Sequence, residues 1–180
     1  TLTPWFIDLY FNRVLPGDYT FITITAFNFW NLIFAPQFVS YLTPFLGLPA
    51  YLVGWSLVGT VLIILAKRLY SSPNRAGLFW QATLLAFAVF LFAPKMASRY
   101  LYPAFALLSL AMVFAQKIKH LWIAYVFMSI GYLVNMYYLW WAPGNLGLEH
   151  LYTDINTKFI SITYIVIFMW LFIKPQRLEN

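Results

Sequence analysis

Apolar residues run along this chain in blocks long enough to cross a bilayer, interrupted by short polar or basic stretches. A hydrocarbon core of about 30 Å takes roughly 20 residues of helix. Phe45 to Ala66 is closed by Lys67 and Arg68, and Leu78 to Phe92 follows the loop SSPNRAG and stops at Pro94. Tyr100 to Gln116 is closed by Lys117, Lys119 and His120, and Leu121 to Trp141 ends in a Trp pair before APGN. Phe159 to Ile173 is closed by Lys174 and Arg177. The second, third and fifth blocks are short, so their helices are expected to extend into the flanking loops. Two segments ahead of these spans read differently. In residues 1 to 19, Trp5, Phe6, Leu9 and Tyr10 recur at about helical spacing, which predicts a short amphipathic helix at the interface. Phe21 to Ala35 is short for a span and carries Thr23, Thr25, Asn28 and Asn31, which predicts a re-entrant or interfacial segment. The expected fold is all-α: a polytopic transmembrane helix bundle over residues 45–180 with about five spans. Residues 1–44 are expected to form an outer-face amphipathic and interfacial or re-entrant segment, and if Phe21 to Ala35 crosses instead, the N-terminus moves inside.

Composition agrees with the pattern. The chain is 63% hydrophobic and only 9% charged, whereas a soluble domain carries about 25% charged residues. A cytosolic enzyme, a nucleic-acid binder and a secreted disulfide scaffold are thereby excluded. There is no cysteine, so thiol chemistry and Cys-based metal sites are excluded as well. The first residues lack the basic-then-apolar order of a signal peptide, and the chain reads as processed or as the rear part of a longer one. Charge placement then sets the orientation. If Lys67 is cytoplasmic, alternation puts Arg68, Arg75, Lys117, Lys119, Lys174 and Arg177 there too. Arg13, Lys95, Arg99 and Lys158 fall outside, with Asp8, Asp18, Glu149 and Asp154. Trp55, Trp80, Trp122, Trp140, Trp141 and Trp170 mostly lie near span ends, as an aromatic belt requires. Ala50–Gly54 and Ser56–Thr60 are small residues four apart, which favours close helix approach.

Chemistry is concentrated in the outer stretch from Pro94 to Pro103, PKMASRYLYP. Pro94 stops one helix, Ser98 is a suitable N-cap for the next, and Pro103 suits a first turn. A helix start with Lys95 and Arg99 beside it is the arrangement that binds phosphate, Arg supplying a bidentate fork. Two interfacial cations snorkelling to headgroups account for the same residues. Asn28 and Asn31, three apart in AFNFWN, share a helix face. They either face a substrate cavity or hold the re-entrant segment to its neighbours, and Asn135 is read the same way. The acids form no metal-binding or paired-carboxylate motif, and Glu149–His150 is read as a solvated loop pair. No metal site is predicted, and the catalytic residue stays unassigned.

Both stretches carry a family resemblance. PKMASRYLYPAFALL resembles the PxMHERYLYPA segment of many prokaryotic multispanning glycosyltransferases, and TITAFNFWNLI resembles their upstream NAFNLWxLL segment. Order and spacing also fit, over roughly residues 20 to 115. The resemblance is to the C-type (GT-C) membrane glycosyltransferases, mannosyltransferase-like and arabinosyltransferase-like, that use polyprenyl-phosphate-linked sugars. It implies that this chain is the C-terminal membrane half of such an enzyme in a prokaryotic cytoplasmic membrane. Sugar would pass from a polyprenyl-phosphate donor to an acceptor at the outer face, without a cofactor. It also implies that Lys95, Arg99 and Tyr100 hold the lipid phosphate, with Asn28 and Asn31 as candidate substrate-facing residues. Two features depart from the pattern. Ala97-Ser98 replaces the family's His-Glu, and the family's catalytic carboxylate belongs to a first outer loop that residues 1 to 20 do not match. The alternative is a non-catalytic membrane subunit that binds an anionic lipid or partner helices. The expected partners are the bilayer, the lipid-linked sugar, and an N-terminal half or another membrane subunit, with no nucleic acid.

Overall fold

The structure, a computed structural model, describes residues 20–35, 39–71, 73–114, 121–141 and 153–173. The amphipathic helix expected before Thr20, the Glu149–His150 pair and the basic residues Lys117, Lys119, Lys174 and Arg177 lie outside the described residues. A short helix α1 (Phe29–Phe34) comes first. It is followed by a hairpin of β1 (Pro44–Phe45) and β2 (Leu48–Pro49), then by helix α2 (Ala50–Ser71). Helix α3 (Arg75–Phe92) leads through a 3₁₀ turn (Ser98–Leu101) into α4 (Tyr102–Phe114). Helices α5 (Leu121–Trp141) and α6 (Asp154–Ile173) complete the bundle. Helices α2, α3 and α6 are long and apolar enough to cross a membrane, and two shorter apolar helices accompany them. A multi-pass membrane bundle is the architecture these lengths and compositions support.

Helix α3 is the central member. Half of its apolar stretch is buried, against 22% for α2 and 28% for α6. It packs on α2, α4 and α6, and Phe87 and Phe90 meet the Tyr164 ring edge-on at 6.1 and 5.9 Å. Trp80 is buried in this core, so it is a packing residue and not part of an interfacial belt. Trp55, Trp122 and Trp170 do sit on the outside of the bundle. Large apolar side chains on α2, α5 and α6, among them Ile63, Leu133 and Phe159, are also exposed. In water such surfaces would aggregate, whereas hydrocarbon solvates them.

The small-residue pairs divide. Ala50 and Gly54 are buried. A Cβ built on Gly54 would lie 2.4 Å from the Phe92 carbonyl oxygen, so α2 approaches the end of α3 where only glycine fits. Ser56 and Thr60 instead face outward, and the Thr60 hydroxyl donates to the Ser56 carbonyl of its own helix. At the other end, Arg68 donates to the Phe172 carbonyl at 2.7 Å and lies 4.4 Å from that residue's ring centroid. A cation on the last carbonyls of α6 satisfies the helix end and its dipole together.

The region before α2 departs most from the hydropathy reading. Phe45 to Pro49 is a tight antiparallel hairpin and not the first turn of a span. Leu46 and Gly47 both have positive φ, +54° and +81°, as a two-residue type I′ turn requires. Gly47 adopts this at no steric cost, while Leu46 pays about 1–2 kcal/mol for the left-handed conformation. The hairpin arm also caps α2, because Ala50 N–H donates to Thr43 C=O and Tyr51 N–H to Tyr41 C=O.

Candidate lipid-phosphate site

Residues 21–35 do not cross the bundle. Helix α1 has six residues, about 9 Å at 1.5 Å per residue, too short for a hydrocarbon core. It begins where Asn28 provides the cap: the Asn28 Oδ1 accepts from Trp30 N–H at 3.1 Å and Asn31 N–H at 3.2 Å. The same carboxamide donates through Nδ2 to the Phe90 carbonyl at 3.2 Å, and Trp30 Nε1 donates to the Phe92 carbonyl at 2.7 Å. Those carbonyls belong to the last turn of α3, which has no further helix to receive them. Asn31 reaches α6, donating from Nδ2 to Ser161 Oγ at 3.1 Å, and Ser161 in turn donates to Thr157 C=O. Asn135 of α5 clamps the preceding strand-like backbone: its Oδ1 accepts from Phe27 N–H at 3.1 Å and its Nδ2 donates to Thr25 C=O.

The three asparagines are therefore structural fasteners. Asn28 and Asn135 are fully buried, and Asn31 is half-buried with its amide engaged on Ser161. Of the two readings open for Asn28 and Asn31, these bonds fit the one in which they hold the segment to its neighbours. Both ends of the Asn28 carboxamide are occupied inside the protein, which leaves it little capacity for a sugar, while Asn31 commits its Nδ2 to Ser161. Trp30 and Ser161 complete the set. The sequence marks Trp30 only as another aromatic, and Ser161 sits among apolar neighbours with nothing to distinguish it.

The loop after α3 lies directly against this segment. Lys95 N–H donates to Ile22 C=O at 2.7 Å, and Ile24 N–H donates to Met96 C=O at 3.1 Å, with Thr23 and Met96 bridged in parallel. These bonds hold Lys95 at φ +60°, a conformation a non-glycine residue takes when its surroundings enforce it. The two stretches that carry the family resemblance thus meet backbone to backbone, although some seventy residues separate them in the chain.

The helix start differs from expectation. The residue at the cap position is Ala97, which makes no side-chain cap bond, and the first element is a 3₁₀ turn. Ser98 lies inside that turn, buried, with its hydroxyl unpartnered, so it is not the N-cap. Pro103 stands in the first turn of α4, as its missing N–H favours. The Lys95 ammonium lies 4.6 Å from the Tyr41 ring centroid and the Arg99 guanidinium 5.5 Å from that of Tyr100, both within cation–π range. Lys95 is half-buried, while Arg99 and Tyr100 on the 3₁₀ turn and Tyr102 at the start of α4 are exposed. The exposed set offers a planar guanidinium fork and two phenol donors, the groups that recognise a phosphate oxygen.

No family model, curated protein or solved structure matches this chain. Among the described residues, no group of three His, Cys, Asp or Glu side chains is placed to hold a metal ion. The one acid among them, Asp154, sits in the first turn of α6 and pairs with Lys158 at 2.9 Å.

Proposed function

We propose that this chain is the C-terminal membrane half of a GT-C type glycosyltransferase that transfers a sugar from a polyprenyl phosphate at the outer membrane face. The observation that carries the reading is the backbone junction between residues 22–24 and 95–96, which presents Arg99 and Tyr100 on a rigid turn at one end of the bundle. A rigid support matters because anion stabilisation depends on donors held in place before charge develops. In the reaction, the bond between the sugar's anomeric carbon and the phosphate oxygen breaks, and its electron pair leaves with the lipid phosphate. The acceptor oxygen forms the new bond, and its proton goes to a carboxylate contributed from outside the described residues. Arg99 neutralises the departing phosphate, Tyr100 donates to it, and Lys95 adds positive potential from its seat on Tyr41.

Arg99→Ala should lower transfer by roughly 10²–10³-fold in the complete enzyme, with expression and folding unchanged. The measurement is transfer of labelled sugar from polyprenyl phosphate in reconstituted membranes, and wild-type turnover by the variant would overturn the proposal.

A second reading has its own support. Asp154 is committed to Lys158, and Ala97-Ser98 stands where the resembling segment has His-Glu. A non-catalytic subunit that binds an anionic lipid would use the same Arg99 turn. In that case Arg99→Ala weakens lipid binding, and no transfer activity accompanies the chain in any assembly.

A further inference from the structure

We infer that the hairpin from Leu42 to Pro49 is a lipid-inserting wedge, seated in the outer leaflet of the bilayer that the bundle spans. Three observations converge on that occupant. Leu42, Leu46 and Leu48 are 56%, 83% and 53% exposed, on an element of only a few residues. No charged residue occurs between Asp18 and Lys67, so the hairpin itself carries no charge into hydrocarbon, and Lys95, whose ammonium lies on the Tyr41 ring at its base, has a side chain long enough to snorkel to the headgroups. The third observation is one of length. From Ala50 to Ala66, helix α2 rises about 25 Å before the first basic residue, and the hydrocarbon core is about 30 Å thick. With Lys67 and Arg68 at one boundary, the opposite boundary lies beyond the first residue of α2, at the level of the hairpin. Any tilt of the helix carries the hairpin deeper.

Its backbone is suited to that depth. Within the bilayer every N–H and C=O needs a partner inside the protein. Phe45 and Leu48 pair across the turn, and Pro44 and Pro49, the next pair, have no N–H to expose. The start of α2 is satisfied by the Thr43 and Tyr41 carbonyls. The exposed leucines continue into the lipid-facing residues Leu52 and Trp55 of α2, so one medium covers both. A turn built for water would carry Asn or Gly in the left-handed position. Leu46 there exchanges local strain for an apolar tip.

The chain has no cysteine, so Leu46→Cys can be labelled with a polarity-sensitive fluorophore in the full chain. Reconstitution is into phosphatidylcholine vesicles carrying a nitroxide on the acyl chain near the headgroup. The expected result is blue-shifted emission, strongly quenched by the nitroxide lipid and untouched by aqueous iodide. Label at Ser71→Cys, the exposed last residue of α2 at its opposite end, should be quenched by iodide. Emission typical of water at Leu46→Cys overturns the inference. So does blue-shifted emission that nitroxide lipid fails to quench, because a protein surface then covers the tip. Leu48→Cys reports on the same element if the Leu46 variant does not reconstitute.

Discussion

Gly54 and Gly59 lie on the same helix and look equivalent in the sequence, yet their surroundings differ completely. A Cβ on Gly54 meets the Phe92 carbonyl oxygen at 2.4 Å and the Trp30 ring at 3.1 Å, while one on Gly59 meets nothing within 4 Å. The close atom at Gly54 is backbone, which cannot swing aside as a flexible side chain would. Gly54→Ala should therefore cost about 1–3 kcal/mol through overpacking. Gly59→Ala should be neutral or stabilising, by up to about 1 kcal/mol, because alanine is the better helix former. Thermal unfolding of the two variants in detergent checks this, and equal melting temperatures would show that α2 and α3 do not approach as closely as described. The consequence reaches the proposed site, since the Phe92 carbonyl touched by Gly54 also receives the Trp30 indole N–H. A methyl group at position 54 would disturb the joint that holds α1.

At the scale of elements, the segment 21–35 owes its place to main-chain carbonyls of α3 and side chains of α5 and α6, and Asn135 makes the most consequential contribution. Asn135→Ala leaves Phe27 N–H and Thr25 C=O without the partners they have now, at about 1–3 kcal/mol for each group left buried and unpaired. Asn135→Asp keeps the acceptor for Phe27 but loses the donor to Thr25, so it should also destabilise. Hydrogen exchange at the Phe27 amide is the direct readout, and unchanged protection in Asn135→Ala would refute the clamp. Hydropathy locates the transmembrane elements well where the chain changes abruptly from apolar to basic or proline. Helix α3 ends at Phe92, as expected, just ahead of Pro94. The beginnings of α3 and α6 are missed by a few residues because they are polar. Asn74 caps α3 through its side chain, and Asp154 occupies the first turn of α6, positions where helices favour such residues and hydropathy counts against them. The hairpin escapes the same method because Phe45 to Pro49 is as apolar as the helix after it. Its signals are conformational: Pro44, Gly47 and Pro49 at turn spacing. Of the candidate site, the sequence singles out Arg99 by its charge and context and Tyr100 only by the family resemblance. The bonding of Asn28 and Asn31 is not legible there, because their partners lie on α3 and α6, far along the chain.

On the scale of the whole molecule, the bundle has two chemically distinct ends, one with Arg68 capping α6 and one with Lys95 and Arg99 over residues 21–35. On the charge pattern, the first is expected in the cytoplasm and the second outside. Thr20→Cys should accordingly react with a membrane-impermeant maleimide from outside, and Ser71→Cys only after permeabilisation. Labelling of both from one side would show that α2 does not cross. The bonds at the Lys95 end also impose an order of assembly. Phe27 finds Asn135 across 108 positions of chain, and Asn31 finds Ser161 across 130. At roughly 5–20 residues per second of synthesis, α1 is made about 5–20 s before Asn135 exists to receive its neighbouring backbone. Until then the Asn31 carboxamide and the backbone at Thr25 and Phe27 must be satisfied by interfacial water, whereas Asn28 already has its own helix and α3. The part of the protein on which the proposed chemistry rests is thus made well ahead of the helices that secure it. A substitution in α5 or α6 can therefore trap the chain with its helices inserted and its outer face unbuilt.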